Sequence, residues 1–300
     1  MDEAKEIQAQ TIGTEQKKPS EGGRKKKVKI ELYNDSFQNF KSYAIPRAQL
    51  VICDAPYAVG NNFYGSNPMW YNGGDNKNGE SKLAGKAAFY SDYSFNWVDY
   101  WGFCNRMLKK EPEKSGERGR SSDAPCMIVF CAFEQINACI EAAKKHGFVN
   151  YIPIVFIKNY SPQVLKANMR VVGATEYALI LYRGKLPKFR NEGKMIFNWF
   201  QWEKDGEDVP KIHPTQKPVK VLERLIEIFT DPGDVVIDPC AGSGSTGRAC
   251  MRTGRSFYGF EIAKKYYREA LDKMLNPEYV SEKKAEIPGQ INLAEWINDV

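Results

Sequence analysis

The sequence predicts an α/β fold, a doubly wound and mostly parallel sheet that carries a small insertion. Three observations support this. Short apolar runs such as Leu50-Val51-Ile52-Cys53 and Val235-Val236-Ile237 are typical of strands buried on both faces. Segments of helical period alternate with them, most clearly at Val219, Leu222, Leu225, Ile226 and Phe229. A glycine-rich turn then joins the strand at 235–237 to a following helix, the kind of junction where open α/β sheets hold ligands.

In chain order, residues 1–27 are polar, lack apolar periodicity and read as a disordered basic arm. The domain is expected over 28–275, with a polar tail at 276–300. Val28–Leu32 alternates apolar and polar and reads as the first strand, and Leu50–Cys53 as the second. The Gly-, Asn-, Ser- and Tyr-rich chain between Tyr57 and Lys86 predicts a long irregular loop. A helix is expected from about Phe95 to Leu108, a strand at Met127–Cys131 and a helix at Glu134–His146. Strands follow at Ile152–Ile157 and Tyr177–Tyr182, whereas the basic, aromatic stretch from Lys185 to Lys211 has no clear period. A strand at Phe257–Glu261 and a closing helix at Ala263–Leu275 complete the order. No internal repeat is visible.

Composition bounds the function. The 300 residues suffice for one α/β core, and no apolar run approaches the ~18 residues that a membrane span needs. The start Met1-Asp2-Glu3 is not a secretory leader, so the seven cysteines, none in a CxxC pair, are expected to be reduced thiols of a cytoplasmic protein. A net charge of +6 is compatible with a polyanionic partner, and the run Arg24–Lys27 could touch phosphate or remain a solvated tail. With only His146 and His213 and no clustered ligands, no metal site is expected.

The loop from Asp238 to Gly247 sits between a buried strand and a helix, where glycines let the backbone turn and approach a ligand at the helix N-terminus. Gly242, Gly244 and Gly247 also satisfy the dinucleotide pattern GxGxxG, and Glu261, at the end of the next strand, could accept bonds from the ribose of either cofactor. Position separates the two. Too little chain follows Glu261 for the remaining strands of a dinucleotide fold, so they must come from upstream in a circularly permuted sheet. A P-loop is excluded because no Gly-Lys-Ser/Thr follows the glycines.

Asp54-Ala55-Pro56-Tyr57 leaves the second strand at its carboxyl edge. Pro56 restricts the turn, so the Asp54 carboxylate and the Ala55 carbonyl can face one point as paired acceptors. Such a pair suits an aromatic amine, which offers two N–H donors and gains positive charge as it attacks a sulfonium methyl. Tyr57 could stack on a flat base. Taken alone, the four residues also fit an ordinary strand-to-turn junction.

Together with Tyr33-Asn34-Asp35-Ser36, His213-Pro214-Thr215-Gln216-Lys217-Pro218 and the glycine loop, this tetrapeptide resembles the motif set of the β-class DNA amino-methyltransferases. The resemblance covers roughly residues 28–275 and implies a Rossmann-like methyltransferase fold using S-adenosylmethionine. It implies that Asp54, Ala55, Pro56 and Tyr57 are catalytic. Asp35 and Ser36 would lie at the cofactor adenine, with Gln216, Lys217 and Pro218 along the methionine moiety. By the same resemblance Asp238, Cys240, Ala241, Gly242, Ser243, Gly244, Ser245 and Thr246 line the cofactor, and Glu261 takes the ribose. The family's usual tetrapeptide is Asp-Pro-Pro-Tyr, so Ala55 is a departure that keeps the backbone carbonyl but loses some rigidity. Asp54 rather than Ser favours adenine N6 over cytosine N4.

The expected substrate is double-stranded DNA with the target base flipped out of the stack. Alternatives are cytosine N4, an RNA or protein amide, and a catalytically silent cofactor-binding subunit. A C5-type nucleophile at Cys240 is disfavoured because it leaves the tetrapeptide unexplained. The loop 58–94 and the region 158–211 are expected to meet DNA, with Lys158, Lys166, Arg170, Lys188 and Arg190 as candidate phosphate contacts. A homodimer, a restriction endonuclease partner and the recognition sequence stay open.

Overall fold

The computed structural model describes residues 28–56, 95–113, 123–159, 163–166, 171–213 and 215–279. The expected arm, Tyr57, the loop 58–94, Arg170, Pro214 and the tail from 280 lie outside the described residues.

The strands are β1 (Ile30–Tyr33), β2 (Leu50–Asp54), β3 (Cys126–Cys131), β4 (Asn150–Lys158), β5 (Gln163–Lys166), β6 (Val171–Gly173), β7 (Thr175–Tyr182), β8 (Trp199–Trp202), β9 (Val235–Asp238) and β10 (Ser256–Phe260). The α-helices are α1 (Trp97–Met107), α2 (Ile136–Lys145), α3 (Val219–Phe229), α4 (Ser245–Thr253) and α5 (Lys264–Glu269). Eight strands form one sheet in the order β1-β10-β9-β2-β3-β7-β4-β8, and β5 and β6 make a separate antiparallel hairpin. Neighbours from β1 through to β3 are parallel, and β7 alone runs against both of its partners, so the sheet is mostly parallel as expected.

Side-chain alternation on the strands produces two packed layers. Leu50 and Ile52 of β2 join Val219, Leu222, Leu225 and Ile226 of α3 and Ala249 of α4 on one face. Val51 and Cys53 face the other way, toward Tyr100, Trp101 and Cys104 of α1 and Ile140 of α2. A strand buried on both sides has no polar face to show, hence its continuous apolar run. Helix ends follow local chemistry. The Asn96 side chain accepts from Val98 N at 3.0 Å and Asp99 N at 3.1 Å to start α1, and Gly254, at φ +73°, closes α4. Pro218 offers α3 no capping side chain, and Asp205 reaches over to accept from Val219 N at 2.8 Å.

Two elements differ from expectation. β8 was not foreseen, because it is a four-residue strand inside an aperiodic stretch, paired among the described residues to β4 alone. The closing helix is α-helical only to Glu269, and Ala270–Met274 continues as a π-helical turn with Leu275 N donating to Ala270 O at 2.8 Å. The wider turn brings Ala270, Met274 and Leu275 to the core together.

β9 and β2 are neighbours, yet their chains leave in opposite directions, β9 toward β10 and β2 toward β3. That divergence opens a crevice at their carboxyl ends, where ligands bind in open α/β sheets.

Candidate active site

Three adjacent strands deliver three carboxylates to one side of the crevice. Asp238 ends β9, Glu261 follows β10 and Asp35 follows β1. Asp238 is buried, and its Oδ1 accepts from Cys240 N at 3.0 Å while Oδ2 accepts from Thr246 Oγ1 at 2.6 Å. Burial pushes this carboxyl up to about 7, with Asp54 and Glu261 adding to the rise and the two hydrogen bonds opposing it. Glu261 is likewise raised by burial, although it accepts from Ala263 N at 2.6 Å and from Gly242 N at 2.9 Å. Asp35 accepts from Ser36 N and Asn39 Nδ2, both at 2.7 Å, and from the Tyr43 hydroxyl at 2.8 Å. The Ser36 hydroxyl caps the short 3-10 helix Phe37–Ser42.

The glycine loop presents backbone to this crevice. Gly242 sits at φ +52°, and a Cβ there would meet no atom within 4 Å. Gly244, at φ +78°, is tighter, since a Cβ would come within 3.2 Å of that of Ala270. Gly247 serves packing, because a Cβ would lie 2.6 Å from Leu275 Cδ2 and 2.9 Å from Phe257 Cε1. Ala241, Ser243, Ser245 and Thr246 are buried, with the two serine hydroxyls 2.9 Å apart. Carboxylate acceptors around an open backbone shelf fit a nucleoside that carries hydroxyl and amine donors and a sulfonium charge. The Cys240 thiol shares a hydrogen bond with Cys53, yet burial and neighbouring carboxylates keep it above its ordinary value, which does not suit a nucleophile.

On the other side of the crevice Asp54 ends β2, with Ala55 buried and Pro56 half-buried after it. Its Oδ2 accepts from Lys217 Nζ at 2.5 Å. Lys217 is 8% exposed and also lies 3.8 Å from Glu176 Oε2, with its ammonium 5.3 Å from the Phe130 ring centroid and 5.8 Å from that of Trp202. Burial pulls this ammonium down, but Asp54 and Glu176 outweigh it and the net shift is upward. Glu176 Oε1 in turn accepts from Lys158 Nζ at 2.6 Å, and Lys158 lies 5.0 Å over Trp202.

The sequence missed Glu176 altogether. Its only signal was parity, since Glu176 continues the core-facing set Ala178 and Ile180 on β7. Lys217, expected along the methionine moiety, also bonds Asp54 through its ammonium and approaches Glu176. Gln216 folds back on its own loop, accepting from Ile212 N and donating to Pro210 O, each at 3.0 Å. His213 packs on Tyr266 at 4.5 Å and accepts from Thr215 N at 3.3 Å; burial, with Lys211 and Lys217 nearby, pushes it down to about 4.

The candidate phosphate contacts separate. Lys188 is buried and bridges Asp231 at 2.8 Å and Asp234 at 2.7 Å, and Arg190 pairs with Asp231 at 2.8 Å and Asp123 at 3.0 Å. Asp123 precedes β3 and Asp234 precedes β9, so both cations brace the amino edge of the sheet, opposite Asp54. Their expected place as DNA contacts is withdrawn. Lys158 belongs to the Glu176 pair rather than to an open loop. Lys166 lies on β5, and Arg170 is outside the described residues. Among the described residues no group of three or more His, Cys, Asp or Glu side chains could hold a metal ion, and no helix is long and apolar enough to cross a membrane.

Comparison with known proteins places this geometry. The chain is 28% identical over 261 residues to the DNA adenine methyltransferase YhdJ of Escherichia coli K12, covering 82% of this chain and 83% of the relative. The M1.HpyAVI complex with S-adenosylmethionine superimposes with a TM-score of 0.56 at 21% identity, covering 82% of this chain and 98% of the other. The PvuII DNA methyltransferase, specific for cytosine N4, gives 0.58 at 18% identity, covering 84% and 89%. Both share the Rossmann-like methyltransferase fold. Residues 48–272, three-quarters of the chain, match the DNA methylase family, so the protein belongs to the S-adenosylmethionine-dependent amino-methyltransferases of DNA that act on adenine N6 or cytosine N4.

Proposed function

We propose that the protein methylates N6 of adenine in double-stranded DNA, on a base rotated out of the helix. The observation that carries this reading is the carboxylate of Asp54 at the carboxyl end of β2, next to the cofactor strand β9. The adenine assignment is supported by Asp rather than Ser at the head of the tetrapeptide and by the likeness to YhdJ. Asp35, Glu261, Asp238 and the backbone at Gly242 would hold S-adenosylmethionine, which would supply an electrophilic methyl group. A carboxylate offers about four lone-pair sites, so Asp54 can take an amine N–H while it holds Lys217. The Ala55 carbonyl takes the second N–H, which fixes the nitrogen for in-line attack. As the N–C bond forms and the C–S bond breaks, with the neutral thioether as leaving group, Asp54 stabilises the positive charge that the nitrogen gains; one amine proton then passes to solvent, and no covalent bond between enzyme and DNA is needed. Tyr57, next in the chain, offers a ring for the base to stack on.

Digestion of DNA treated with the protein and S-adenosylmethionine is expected to yield N6-methyladenine by nucleoside mass analysis. N4-methylcytosine in its place would move the assignment to the other base, and neither product would make the chain a silent cofactor-binding subunit.

The DNA surface is assigned to Lys166 and Arg170. Replacing both by Ala is expected to weaken binding alike on all sequences and to lower the slope of log affinity against log salt by about two, at about 0.9 per phosphate contact. Unchanged affinity and slope would move the duplex elsewhere.

A further inference from the structure

Asp54, Lys217, Glu176 and Lys158 form a row of alternating charge on one face of the sheet. Asp54 shares the face of Leu50 and Ile52, Glu176 that of Ala178 and Ile180, and Lys158 that of Ile154 and Phe156, while Lys217 lies across them just before α3. Register sets the spacing. Asp54 pairs with Phe130, Phe130 with Ala178, Phe156 with Glu176 and Lys158 with Trp202. The aromatic floor of Phe130, Phe156 and Trp202 excludes water beneath both ammonium groups.

A buried ammonium costs several kcal/mol unless carboxylates answer it. Asp54 alone could answer Lys217, but a private ion pair would commit the charge that the target amine needs. Glu176 divides the attraction, and Lys158 answers Glu176 in turn. Resting on the proposed reading of Asp54 as the amine acceptor, we propose that Lys217 and Glu176 are positioning residues: Lys217 holds Asp54 in place and ionised for the base, and Glu176 seats Lys217 and shares its charge. The row also discriminates among the acids of the crevice. Asp238 and Glu261 are both pushed upward by burial and, among the described residues, are not bonded to a cation, whereas Asp54 has the ammonium at 2.5 Å. Groups set apart in this way take different roles.

The test uses the full chain and three variants, Lys217→Met, Lys217→Arg and Glu176→Gln, and measures kcat at saturating DNA across pH, the Kd of S-adenosylmethionine and the thermal midpoint. Among the described residues Asp238 of β9, Cys131 of β3 and Cys240 of the glycine loop also feel the charge of Asp54, Cys53 of β2 acts on Lys217, and all three variants leave these in place. Lys217→Met is expected to lower kcat on the order of 10²-fold with cofactor Kd within about 3-fold, by analogy with loss of one oriented catalytic partner. Removing a cation favours the protonated carboxyl, so the acid limb of its kcat profile moves to higher pH. Lys217→Arg restores most of the rate and returns the limb. Glu176→Gln removes a negative charge, so its limb moves to lower pH, opposite to Lys217→Met. A purely structural tie would move neither limb.

Limbs that coincide with wild type in both charge-changing variants overturn the proposal, as does a Lys217→Met protein that loses cofactor affinity at unchanged kcat. If Lys217→Met fails to fold, Glu176→Gln decides it: a limb at lower pH than wild type, with that of Lys217→Arg unmoved, supports the proposal, and a Glu176→Gln limb that coincides with wild type overturns it. A wild-type chain that methylates no DNA base refutes the reading of Asp54 itself, and the proposal with it.

Discussion

Asp54→Ala is expected to reduce methyl transfer by roughly 10²- to 10³-fold or more while S-adenosylmethionine still binds, because in the proposed function the lost acceptor acts on the amine and not on the cofactor. The structure adds a second consequence. Lys217 would lose its nearer carboxylate and keep Glu176 at 3.8 Å, so the variant should also be less stable. Losing one partner of a fully buried pair costs about 3–5 kcal/mol, and less here because Asp54 is partly solvent-exposed. Asp54→Asn separates the two effects, since it keeps the shape and an acceptor oxygen but loses the charge. Incorporation of labelled methyl into DNA, read beside cofactor titration, checks both variants. Loss of cofactor binding with transfer intact would mean that the two halves of the crevice had been assigned in reverse.

Gly242→Val should abolish measurable cofactor binding in a protein that remains folded. Its Cβ would meet no atom of the described residues within 4 Å, so the cost to the fold is chiefly that of a left-handed backbone, about 1–2 kcal/mol. Gly244→Val is the contrasting case. It carries the same backbone strain and also crowds Ala270 at 3.2 Å, so it should lose more stability. Equilibrium titration with S-adenosylmethionine and thermal melts of both variants distinguish them, and undiminished affinity in Gly242→Val would contradict the place given to the cofactor.

Much of the fold was legible because its signals are local. β2, β3 and β9 are buried on both faces and therefore announce themselves as apolar runs, and α3 shows its period directly. β8 was illegible because an edge strand of four residues needs only one partner and no continuous apolar run. The π-helical turn at Ala270 was hidden because its residues would suit an α-helix equally well. The site divides in the same way. Asp54, Asp238, Gly242 and Glu261 sit at strand ends beside turn residues, which a sequence records. The pairing of Lys217 with Asp54 spans 163 residues, and nothing near either residue names the other. Lys188 and Arg190 were misread for the same reason, since their acidic partners lie 41 to 67 residues away.

The neighbours of β2 arrive at very different times. β3 follows it by about 70 residues, but β9, which pairs Leu50 with Val236 and Val51 with Ile237, follows by about 180. During synthesis β2 is consequently an open sheet edge for most of the time the domain takes to emerge, and such edges invite pairing with other chains. Contacts of this sequence separation also make folding slow. Asp54 and β3 emerge well before Asp238 and the glycine loop, so a nascent chain stopped ahead of Val235 has no β9 to cover that edge of β2 and lacks the crevice that the two strands form. Closure of β9 onto β2 finishes the core and creates the catalytic crevice in one step, which ties the onset of activity to the end of folding.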